Sequence, residues 1–209
     1  MSTITSIITA AGLLFLTMLP TFGTELICTD SINNENDTEQ TLIDFSNTSV
    51  AGCRIVNDSV MGGISRSTLQ EHEDGYAQFS GTVSLENNGG FASVRARTQR
   101  PMDLSDFEGI SVRVRGDGKT YSLRLRTVKN GRLTRYSYEA RFATTSGEWE
   151  TYKLAYSDFS PVFRGNPVRG NPDLNSDAIL EIGFMIQDGQ EGPFRLDVQK
   201  LSVYRPESE

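Results

Sequence analysis

A two-sheet antiparallel β-sandwich is the fold predicted for this 209-residue chain, on three observations. Apolar residues recur with period two in a succession of short runs, Gly, Asn and Asp separate those runs, and no long stretch carries helical spacing. In order, the first strand-like run is Thr41-Leu42-Ile43-Asp44-Phe45. Tyr76, Phe79, Val83 and Leu85 mark the next region, then Phe91 and Val94. Ile110, Val112 and Val114 alternate without a slip, as do Tyr121, Leu123 and Leu125, and the pattern repeats at Tyr136, Tyr138, Ala140 and Phe142. Tyr152 and Leu154 follow; Ile179 to Ile186, then Phe194, Leu196, Val198, Leu201 and Val203, close the chain. Turn signals fall in the gaps at Asn87-Asn88-Gly89-Gly90, Gly116-Asp117-Gly118, Asn130-Gly131 and Asp188-Gly189. Side chains alternate between the two faces of a sheet, so a sheet with one buried face requires this period.

The N-terminus reads as a leader. Ile7 to Leu19 is apolar or small and Pro20 breaks it, a run of about 13 residues where a bilayer span takes roughly 20. Residues 1–23 are therefore expected to be a signal peptide for export to the periplasm or the medium, with an uncleaved N-terminal anchor as the alternative. No Lys or Arg precedes Arg54, which weighs against a mitochondrial transit peptide. Residues 24–40, TELICTDSINNENDTEQ, are polar and acidic and read as a flexible linker, leaving 41–205 for the sandwich. After leader cleavage nothing is expected to insert stably in a membrane. Cys28 and Cys53 make an even pair, a candidate disulfide in an oxidising compartment.

Composition narrows the chemistry. A formal net charge of −7 repels nucleic acid and anionic membranes. With one His, two Cys and no CxxC, a Cys/His zinc site is excluded, and no cofactor is implied. A Ser-His-Asp or Cys-His nucleophile would depend on His72, which lies in the polar run LQEHEDG and reads as a solvated turn residue. No two acids stand out as a glycosidase pair. A non-catalytic binding module is the reading that remains.

Three constellations are candidates for binding. In RIVNDSVMGGISRS, Asn57 and Asp58 precede Gly62 and Gly63; with Asn87 and Asn88 they form either a small polar pocket or simple turn chemistry. The segment from Tyr156 to Asp177 has no strand period, three prolines and RGNP twice, yet it carries Phe159, Val162 and Phe163 beside Arg164, which suits a packed or partner-facing loop. Alternation also points Arg95, Arg113, Arg124 and Arg126 outward, a candidate face for an anionic ligand if their strands are neighbours. The alternative is a solvated face paired with Glu139, Glu150 or Asp197. Trp149, the only tryptophan, is expected to pack over the edge of the core.

Several of these stretches occur together in a known order. NDSVMGGISRS and FSGTVSLENNGGFASVRAR, then GISVRVRGDGKTYSLRLRT, WETYKLAYSDFSPVFRG and IGFMIQDGQEGPFRLDVQKLSVY, resemble the complex I intermediate-associated protein 30 family across roughly residues 41–204. The resemblance implies a galactose-binding-like jelly roll. It also implies a role like that of the mitochondrial relatives, an assembly factor or chaperone for respiratory complex I, and carries over no catalytic residues. A protein partner is thus expected first. A cell-surface or extracellular polysaccharide, suggested by fold and export, is the alternative.

Overall fold

The computed structural model describes residues 38–206. Its strands, in chain order, are β1 (Glu39–Asp44), β2 (Cys53–Ile55), β3 (Arg66–His72), β4 (Tyr76–Val83), β5 (Ala92–Met102), β6 (Gly109–Arg115) and β7 (Thr120–Lys129). They continue with β8 (Arg132–Leu133), β9 (Ser137–Ala143), β10 (Trp149–Ala155), β11 (Ser160–Phe163), β12 (Asn166–Pro167), β13 (Ile179–Ile186) and β14 (Gly192–Tyr204). Among the described residues there is no α-helix. One sheet is ordered β10-β6-β14-β4-β3, with β1 also on β14; the other is ordered β12-β11-β9-β7-β13-β5-β2, with β8 on β7. The pairings between these strands run antiparallel. The late strands β14 and β13 thus insert between earlier ones in each sheet.

The period-two residues meet between the sheets. Phe79, Val112, Leu196 and Leu201 of one sheet face the interior with Leu123, Leu125, Ile182 and Phe184 of the other, all buried. Each such side chain contributes on the order of 1.5–3 kcal/mol on leaving water, which favours the sandwich over separate sheets. The run Ile179–Ile186 is buried along its whole length, because β13 is central and its outer face is covered as well.

Three elements depart from expectation. β1 begins at Glu39, within the expected linker, because Glu39 and Gln40 pair with Tyr204 and Val203; polar side chains on an edge strand leave no apolar signature. β3, RSTLQEH, is mostly exposed for the same reason. The segment after Tyr156 is not structureless: β11 pairs with β9, and β11 and β12 form a hairpin. Its turn residues Arg164 and Gly165 have φ of 52° and 78°, the double positive φ of a two-residue type I′ turn. Strands of two to four residues are too short to show a period.

Trp149 is half-buried but not against the core. Its cross-strand partner is Arg115, so its ring lies on the outer face of the smaller sheet. There the Arg115 Cζ stands 4.9 Å and the Arg113 Cζ 5.8 Å from the ring centroid, and Tyr76 meets it edge-on at 5.7 Å. His72 ends β3 and stacks on Tyr76 with centroids 4.3 Å apart.

Candidate functional site

Register builds a polar floor on the outer face of the larger sheet. One cross-strand row runs Arg95, Gly183, Arg124, Glu139 over β5, β13, β7 and β9; the next runs Arg97, Glu181, Arg126 over β5, β13 and β7. The two carboxylates are almost buried, at 7% and 4% exposure, and each is shared between guanidiniums. Glu139 pairs with Arg124 and, at 3.0 Å, with Arg141, and accepts a further bond from Gln187 Nε2 at 3.0 Å. Glu181 lies 3.5 Å from Arg95 and 3.4 Å from Arg126. Burial alone would raise the Glu139 pKa, but Arg124 and Arg141 outweigh it and hold the carboxyl below its usual range. Arg95 is drawn below the usual guanidinium range by burial, opposed by Glu181 and reinforced by Arg126, Arg124 and Arg54.

Arg113 does not belong to this face. It projects from β6 of the other sheet, where its Nε donates to Gln199 Oε1 at 2.8 Å. Alternation separates outward from inward but says nothing about which sheet a strand joins. The expected partners divide likewise: Asp197 serves Arg115 at 2.8 Å and Arg195 at 2.9 Å on the smaller sheet. Glu150 instead accepts from Thr145 N at 2.9 Å and Tyr152 OH at 2.6 Å.

The first wall above the floor is the short 3-10 turn Asp58–Met61 with the loop that ends at Phe91. Asp58 ties the two together from a fully buried position. Its carboxylate accepts from Ser65 N at 3.0 Å, Ser65 Oγ, Gly90 N at 2.7 Å and Phe91 N at 3.3 Å. Burial opposes ionisation, yet these donors together hold its pKa below the usual range. Asn57 Oδ1 accepts from Ser67 Oγ at 2.8 Å and Ser93 N at 3.4 Å. Asn87 and Asn88 take the left-handed conformation, at φ 55° and 59°, and Asn88 reaches the groove. Asn57 and Asp58 thus bond to neighbouring serines and loop backbone, while Val60 and Met61 on the same turn stay exposed.

The β11–β12 hairpin forms the opposite wall. Phe159 joins the core at 6% exposure and Val162 is 7% exposed, whereas Phe163 is 41% exposed, with the Arg164 Cζ 5.4 Å from its ring centroid. Between the walls lies a groove of about 610 Å³. It brings together Phe163, Val162 and Arg164 of the loop, Arg95, Arg124 and Arg126 of the arginine face, and Asn88. Of the five large apolar side chains exposed among the described residues, Val60, Met61, Leu85 and Phe163 line this groove and Ile64 does not. Val60 and Met61 went unread in the sequence; apolar residues just before Gly62-Gly63, in a segment without strand period, were the available signal.

Cys53 is half-buried on β2, and burial pushes its thiol up to about 11; Cys28 lies outside the described residues, as do the expected leader and most of the linker. Among the described residues no three His, Cys, Asp or Glu side chains are placed to hold a metal ion, and no helix is long and apolar enough to cross a membrane.

A sandwich of this topology is a galactose-binding-like jelly roll. The family 11 carbohydrate-binding module of the cellulosomal cellulase Lic26A-Cel5E of Clostridium thermocellum matches it with a TM-score of 0.63, covering 82% of this chain and 96% of the module at 16% identity. The Clostridium thermocellum module in complex with a β-1,3-1,4-mixed-linked tetrasaccharide gives 0.61, covering 82% and 98% at 17% identity. Identity this low carries the fold and nothing of the ligand.

Sequence similarity assigns the lineage: the chain belongs to the Complex I intermediate-associated protein 30 family, which matches residues 43–198. The mitochondrial Complex I intermediate-associated protein 30 of Neurospora crassa is 26% identical, over 73% of this chain and 68% of its own length. An uncharacterized protein of Schizosaccharomyces pombe is 29% identical, over 71% and 75%. The mouse protein of the same name as the Neurospora one, also mitochondrial, is 26% identical over 72% of this chain and 51% of its own length, so this chain spans about half of it.

These relatives correct the expectation of export. Proteins named as mitochondrial are not secreted or sent to a periplasm. The expectation rested on one apolar run and on the absence of Lys or Arg before Arg54, and neither feature alone encodes a destination.

Proposed function

We propose that this chain is a non-catalytic binding module that holds a protein partner in the arginine-floored groove and serves assembly of mitochondrial respiratory complex I. The family supports the assembly role, through relatives named for their association with a complex I intermediate. The observation that carries the groove is the gathering of Val60, Met61, Leu85 and Phe163 around it. Apolar side chains left in water at one place usually mark an interaction site, because burying them on a partner recovers the hydrophobic free energy that folding did not. Guanidiniums stay protonated through the physiological range, and the floor carboxylates Glu139 and Glu181 are committed to ion pairs, so the site offers rigid charge rather than a proton donor or acceptor. A glycan would prefer a flat exposed ring; here the exposed aromatic is Phe163, stacked under its own Arg164.

Cells depleted of this protein should show less assembled complex I on native gels, and re-expression of the wild-type chain should restore it. The double variant Met61→Ser, Phe163→Ser, both at exposed positions, should accumulate to normal levels and fail to restore assembly. Full restoration by that variant would remove the groove from the function.

A further inference from the structure

We propose that the occupant of the groove is an acidic polypeptide segment bearing a bulky apolar residue, with Arg135 and Arg164 as the arginines that select it. This rests on the groove being the partner site and adds the chemistry of the partner.

Charge is the first argument. Five arginines line the groove, Arg95, Arg124, Arg126, Arg135 and Arg164, against one carboxylate, Asp188, in a chain whose net charge is −7. The five are not equivalent. Arg95 and Arg126 are held by Glu181, and Arg124 by Glu139, so their charge is largely answered beneath the floor. Asp188 is held by Arg141 at 2.9 Å. Arg135 and Arg164 are exposed, and among the described residues no carboxylate pairs with either. A guanidinium already paired gains little from a second carboxylate, whereas a free one presents its whole donor fork. Arg135 and Arg164 therefore carry the discrimination, and the paired three act as a positive, rigid base.

Shape and apolar chemistry supply the second argument. The rim is made of Val60, Met61, Leu85 and Phe163, apolar side chains that suit an aliphatic or aromatic anchor, with the unbranched Met61 able to adapt to its shape. A phosphate or sulfate group would use the arginines and leave this rim in water. A neutral sugar would leave the arginines unanswered. A chain with carboxylates flanking an apolar residue engages both, and it meets a positive groove in a protein whose remaining surface repels it, which aids register.

The test uses the full chain and a short fluorescent peptide in which glutamates flank a Leu-Phe pair, with a second peptide in which lysines replace the glutamates. The acidic peptide should bind, weaken as salt is raised, and lose about tenfold in affinity for the variant Arg135→Glu, Arg164→Glu. Arg113→Glu on the opposite sheet should bind as the wild type does. Equal binding of the two peptides, failure of the acidic peptide to bind, or an acidic-peptide affinity untouched by the double reversal overturns the proposal. A sulfated oligosaccharide that binds with the same dependence on Arg135 and Arg164 while the peptide does not also overturns it. These outcomes are separable from the groove reading. If complex I assembly still depends on Met61 and Phe163 while charge reversal has no effect on the peptide, only the acidic occupant falls.

Discussion

Asp58 and its two glycine neighbours show how much one buried side chain demands of the chain around it. A Cβ on Gly63 would stand 2.4 Å from Asp58 Cγ, and one on Gly89 would stand 2.7 Å from Asp58 Oδ2. Asp58 cannot give way, because four donors hold its carboxylate. Gly63 is not in the left-handed region, so its substitution fails by overlap rather than by backbone strain. Gly62, with φ at 96° and open space around it, fails only by strain. Gly63→Ala should therefore cost about 2–3 kcal/mol in denaturant unfolding, in the range of overpacked cores, and Gly62→Ala only about 1 kcal/mol. Equal costs would mean that the contact with Asp58 does not constrain the turn. In the sequence the two glycines are indistinguishable.

The β11–β12 hairpin makes the same point for an element. Phe159 and Phe163 lie four residues apart in a segment that reads as loop; Phe159, ending the 3-10 turn Tyr156–Asp158 before β11, is buried in the core, while Phe163, beside the hairpin turn, is left exposed in the groove. Phe159→Ala should lower stability by about 3–4 kcal/mol, as for a buried aromatic. Phe163→Ala should change it by less than about 0.5 kcal/mol. Thermal or urea unfolding of the two variants decides this, and a large loss at Phe163 would make the hairpin tip part of the core. The same comparison bears on the groove, since Phe163 can serve a partner only if the fold does not need it.

At the scale of the whole molecule, three of the four buried carboxylates among the described residues hold separate parts of the sandwich. Asp58 ties loops at one wall of the groove, Glu139 lies under its floor, and Asp197 pairs with Arg115 and Arg195 on the opposite sheet. Burial raises each pKa, but hydrogen bonds and arginines lower all three on balance. A folded pKa below the unfolded one, about 3.9 for Asp and 4.3 for Glu, means stability that is present above the unfolded value and lost as pH falls through the folded one. The Tm should be nearly level from neutral pH to about 5 and fall steeply below about 4. Asp58→Asn should have a lower Tm at neutral pH and a shallower acid limb. A wild-type Tm unchanged down to about pH 3 would show that these pairs do not stabilise the native state.

Period two in Ile110-Val112-Val114 and Tyr121-Leu123-Leu125 was legible because burial acts on each strand separately, and a strand states its own inner face. The turn signals were legible for the same local reason: left-handed backbone at Asn87, Asn88 and Asp188 favours particular residues wherever the strands go. The sequence by itself therefore determined the sandwich and the outward direction of the arginines, while the jelly roll followed from its resemblance to the family. It did not determine that Arg95, Arg124 and Arg126 share a face while Arg113 lies on the other sheet, nor that Val60, Leu85 and Phe163 meet around one groove. Those facts depend on which strands pair and how two walls approach across a sheet. Contacts between residues far apart in the chain follow from closing the whole core, and no local pattern records them.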